Sequence, residues 1–176
     1  MADRLVMADR SIPSRPRRLA LRIVLVLFSL AEFLTALADL PSLQTPNPTP
    51  TTGWRVAGIM SDARTVLVPA IAAAAAGFAL VGMLSRAVAA MAALLLVQAC
   101  AAMAWAIALR GATVPLDIAS VPILAPLYVY PLLGVAALAL LWRGRLGLAG
   151  LLALLPSGVT WLYWIILVVV IATRPD

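Results

Sequence analysis

A chain of 176 residues that is 64% hydrophobic and only 11% charged, with a mean hydropathy of +1.07, lies outside the range of soluble domains, where about half the residues are apolar and about a quarter charged. Its net charge of +6 comes from 13 basic residues that are all arginine. They sit in short segments between apolar runs, which is the positive-inside pattern of a membrane protein rather than a nucleic-acid surface. Cys100 is the one cysteine and histidine is absent. That excludes an intrachain disulfide, a Cys-based metal site, imidazole ligation of haem, bacteriochlorophyll, zinc or copper, and any Ser-His-Asp triad.

Residues 1–18 carry Arg15, Arg17 and Arg18, with Arg22 just beyond, interrupted by Pro13 and Pro16. This reads as a basic cytoplasmic segment whose arginines meet lipid headgroups, at about 1 kcal/mol each for anionic lipid. The apolar run 19–40 is long enough for a hydrocarbon core of roughly 30 Å. Ala36-Leu37-Ala38 imitates a signal-peptide cleavage site, but Glu32 interrupts the apolar stretch, so a retained transmembrane helix is expected. Residues 41–65 hold Pro41, Pro46, Pro48 and Pro50 among threonines. Backbone without donors cannot lie bare in lipid, so this stretch reads as an aqueous loop on the periplasmic side, with Trp54 at the interface.

The second run, 66–84, contains the small residues Ala72 to Ala76, Gly77 and Gly82. In lipid such residues mark close helix packing, so Gly77 and Gly82 are candidate partner contacts. Ser85 and Arg86 form a short break before the third run, 87–109, with Gln98 near its centre. The fourth run, 121–142, begins among Pro122, Pro126 and Pro131, which predicts an irregular start. The last run, 146–172, passes Pro156 and places Ser157, Trp161 and Trp164 on one face. That face is a candidate contact for a partner subunit or lipid.

The expected fold is therefore an all-α polytopic helix bundle with five transmembrane helices, or four if the last run stays at the interface. Arginine counts favour a cytoplasmic N-terminus: Arg4, Arg10, Arg15, Arg17, Arg18, Arg86, Arg143 and Arg145 lie inside, against Arg55, Arg64, Arg110 and Arg174 outside. The arginine-only basic inventory, with abundant Ala, Leu, Pro and Gly, suggests a GC-rich bacterium and hence its inner membrane.

The chemistry concentrates in the first span. Glu32 and Asp39 are seven residues apart, so they differ by only about 20° around a helix, with Ser29 and Thr35 within about 60° of Glu32. A central carboxylate costs about 2.5–3.5 kcal/mol to insert and by default faces protein and suggests function. It can serve a proton relay or a cation site, or bond a neighbouring helix through a group such as Gln98. No phosphate-binding loop or catalytic constellation accompanies it. Two roles are expected in order: a non-catalytic accessory or scaffolding subunit of a larger membrane complex, then a small proton-linked carrier, as a homo-oligomer, using Glu32. Neither calls for nucleic acid, an enzyme activity or a cofactor, although bound lipid is compatible with both.

Overall fold

A computed structural model describes residues 15–40, 52–108 and 124–173. Arg4, Arg10, Arg110, Arg174 and the prolines of 41–51 lie outside the described residues, as do the side chains of Asp39, Trp54 and Trp164. The described chain contains five helices long and apolar enough to cross a membrane: α1 (Arg15–Asp39), α2 (Thr52–Leu80), α3 (Leu84–Ala108), α4 (Ala125–Trp142) and α5 (Leu146–Ala172). Among the described residues there is no strand. The molecule is an all-α membrane helix bundle.

Two tight turns of one design connect its helices. At the end of α2, Gly82 N–H bonds Ala79 O and Met83 N–H bonds Phe78 O, with Gly82 at φ 83°. At the end of α4, Gly144 N–H bonds Leu141 O and Arg145 N–H bonds Leu140 O, with Gly144 at φ 71°. Each is a Schellman cap that spends a glycine on the left-handed residue and reverses the chain within three residues. The first turn thus falls at Gly82, ahead of the break expected at Ser85 and Arg86, and Gly82 serves that turn. In Gly82→Ala the added Cβ meets no atom, so the cost is the left-handed backbone alone, about 1 kcal/mol. The expected result is a lower thermal midpoint in detergent, whereas Gly77→Ala, in ordinary helix, leaves it unchanged.

The second helix starts at Thr52, roughly four turns before the hydropathy boundary at 66. Residues 52–65 are therefore not aqueous loop. They carry Val56, Ala57, Ile59, Met60 and Ala63 without a proline before Pro69, and helical hydrogen bonding continues through the polar residues Asp62 and Arg64. The proline-rich opening of the fourth run behaves as expected. It forms a π-helical turn, Ala125–Val129, closed by Tyr130 N–H to Ala125 O, before regular helix continues. Prolines that cannot donate make such wide turns cheap.

The core is built from small side chains, and the outside of the bundle from large ones. Ala75 and Ala79 of α2, Ala87, Val88, Met91 and Ala92 of α3, Ala137 of α4 and Ala149 and Ala153 of α5 pack with Leu25 of α1. Leu27, Leu34, Leu132 and Ile165 face outward, as lipid-facing residues do. Close approach is set by Gly134, where an added Cβ would lie 3.2 Å from Ala92 O and 3.0 Å from Leu96 Cδ2, and by Gly150 against Leu21 and Val88. Gly77, expected in this role, has nothing within 4 Å. Which glycine packs depends on the helix face presented to a neighbour, and Gly77 lies on the outer face of α2.

All short turns lie at one end of the bundle, together with the start of α1. That end holds Arg15, Arg17, Arg18, Arg22, Arg86, Arg143 and Arg145. Arg22, expected at lipid headgroups, donates to the backbone carbonyl of Leu80, one of the carbonyls that the end of α2 leaves open.

Candidate functional site

The side chains of the core fill the turn end of the bundle. Towards the other end, the helices leave a cavity of about 360 Å³ to which all five contribute, at the small end of ligand-pocket sizes. From α1 comes Glu32 and from α2 comes Arg64. The third helix supplies Leu95, Gln98, Ala101 and Ala102, the fourth Pro126 and Tyr130, and the fifth Pro156, Ser157 and Thr160. A smaller pocket of about 40 Å³ shares Glu32, Arg64 and Gln98 and adds Thr35 and Thr65.

The position of Glu32 follows from periodicity. Leu25, Ser29, Glu32 and Ala36 recur at helical spacing, and Leu25, Ser29 and Ala36 are buried, so Glu32 is on the packed face of α1. It lies about 10 Å along the axis from the Asp39 end of the helix, deep in an apolar span. Ser157 Oγ donates to Glu32 Oε1 at 2.7 Å. The link joins residues 125 positions apart and ties the first helix to the last. Ser157 is itself only 3% exposed, so it faces the interior rather than a partner or lipid. Trp161 of the same face is partly buried.

Arg64 stands close enough to act electrostatically on both Glu32 and Tyr130. Tyr130 hydrogen-bonds Thr160, which closes α4 on α5 at the mouth of the π-helical turn. Such turns recur at functional sites because they re-aim one side chain without ending the helix. Here the re-aimed stretch carries Pro126 and Tyr130 to the cavity wall.

The polar stripe expected on α1 is divided in the structure. Ser29 is buried and donates to Met91 Sδ at 3.4 Å, away from the cavity. Thr35 bonds back to Ala31 O and Glu32 O, both at 3.0 Å, and lines the smaller pocket. Gln98 joins Glu32 in both pockets, but the hydrogen-bond partner of Glu32 is Ser157. Arg64, Tyr130 and Thr160 are additional. A Glu-Ser hydrogen bond of this kind is worth about 1–3 kcal/mol, so Ser157→Ala is expected to lower the thermal midpoint clearly, while Ser29→Ala, losing only a weak bond to sulfur, lowers it less.

Chemically, the arrangement offers one carboxylate, one guanidinium, three hydroxyls and an amide around a space large enough for a small solute. Among the described residues no group of three or more His, Cys, Asp or Glu is placed to hold a metal ion. Comparison of the chain with protein-family models, curated proteins and solved structures finds no match.

Proposed function

We propose that this chain is a small proton-linked carrier of a polar solute, working in the inner membrane of a bacterium with its N-terminus in the cytoplasm. The observation that carries the reading is the convergence of all five helices on one polar cavity around Glu32. Buried polar groups cost stability unless they are paired or put to use. A subunit that works only through its outer faces gains nothing from a carboxylate on the packed face of its first helix, with an arginine and three hydroxyls around the same opening. Glu32 is the proton site of this reading, and Ser157 orients it. The orientation rests on the seven arginines at the turn end.

Proteoliposomes carrying a lumenal pH dye test the proposal. A mixture of small polar solutes added outside should change the lumenal pH faster than in protein-free vesicles. Equal rates contradict it.

The accessory-subunit reading keeps one observation in its favour. Ala70, Ala73, Ala74 and Gly77 form an exposed stripe of small residues on α2, a face on which another helix could seat. Gly77→Leu leaves the fold of the single chain intact and shrinks the particle extracted from native membrane if that stripe is a subunit contact. An unchanged particle removes this second reading.

A further inference from the structure

We infer that the ligand of the cavity carries one positive and one negative group a few atoms apart, as a free amino acid or a phosphoethanolamine headgroup does. This rests on the carrier reading and names its substrate class. The cavity wall includes one acid, Glu32, and one base, Arg64, on neighbouring helices. Glu32 is partly buried and Arg64 is exposed, so a ligand in this open-sided cavity meets a fixed charge of each sign. A cation would answer Glu32 and leave Arg64 facing another positive charge; an anion would do the reverse. A zwitterion answers both at once.

The remaining geometry agrees. Ser157 occupies Oε1 of Glu32, and a carboxylate has further lone pairs for an ammonium. The Arg64 guanidinium is suited to a carboxylate or phosphate, which it can grip with two N–H groups. Leu95, Ala102 and Pro126 add apolar lining that suits a short aliphatic portion. A divalent-cation site needs several oxygen ligands, and Glu32 is the only carboxylate among the described lining residues.

The test is a thermal-shift measurement on the purified full chain in detergent with four probes at equal concentration. These are alanine, alaninamide (the cation alone), propionate (the anion alone) and glycerophosphoethanolamine. The expected result is a raised midpoint with alanine, with glycerophosphoethanolamine, or with both, and none with either half-charged compound. A shift with alanine identifies a free solute; a shift with glycerophosphoethanolamine alone identifies a lipid headgroup. Arg64→Gln should exchange alanine for alaninamide, and Glu32→Gln should exchange it for propionate. A wild-type shift by either half-charged probe equal to that of the zwitterions overturns the inference, and this reading needs no variant to fold. If none of the four probes shifts the protein while the solute mixture still changes the lumenal pH of proteoliposomes, the zwitterion is wrong and the carrier stands. If both experiments are silent, both fail.

Discussion

Glu32→Gln is expected to fold, to keep its bond from Ser157 and to lose solute-driven proton movement by at least about tenfold, equivalent to about 1.4 kcal/mol or more of barrier. The amide oxygen of glutamine accepts from Ser157 Oγ as the Glu32 oxygen does at 2.7 Å, so the link between α1 and α5 survives. What disappears is a group that can bind and release a proton. Because Glu32 is the one carboxylate among the described residues of the cavity wall, the dependence of uptake on pH should flatten in the same variant. Uptake measured at two or three pH values in proteoliposomes checks both. Wild-type uptake in the glutamine variant would remove Glu32 from the mechanism.

Gly134→Leu is the largest structural change expected. The first atom of any side chain at this position lies 3.2 Å from the Ala92 carbonyl oxygen, and backbone cannot turn aside as a flexible side chain can. The fourth helix must move off the third. Overpacking of this kind costs about 1–3 kcal/mol, and because Tyr130 and Pro126 travel on the same helix, the cavity opens with it. The detergent thermal midpoint should fall well below that of Gly77→Leu, whose added Cβ meets nothing within 4 Å. Similar midpoints for the two variants would mean that the α3–α4 contact is not as drawn.

Glu32 announces itself in the sequence because a carboxylate inside a long apolar run has few explanations, and the structure does put it on a cavity. Ser157 was visible only as a member of a helical face; its direction depends on how α5 rotates against α1, which periodicity does not fix. Arg64 was hidden by a boundary error. Hydropathy falls where Asp62 and Arg64 occur, and the prolines up to Pro50 suggested that the loop continued, although the stretch from Val56 onward has helical apolar spacing and no proline before Pro69. Tyr130 and Thr160 carry no charge and gave no signal.

The glycines teach a related lesson. Gly82 and Gly144 serve turns, and a glycine at a helix end is readable as such. Inside helices, Gly77 and Gly134 look alike in sequence, yet one faces open space and the other seats a neighbouring helix. Small residues mark where helices are able to approach, while the three-dimensional arrangement decides where they do.

In this proposal water reaches the polar space within the membrane-spanning length of the bundle. In a Cys100→Ser background, Ala102→Cys places a thiol on the cavity wall and Leu132→Cys places one on an outward face where the leucine is 73% exposed. A membrane-impermeant, positively charged thiol reagent modifies only thiols that ionise in water. Ala102→Cys is expected to react in intact membranes and Leu132→Cys is not. Equal inertness of the two, with both accessible after denaturation, would mean that the cavity is dry and the account is wrong.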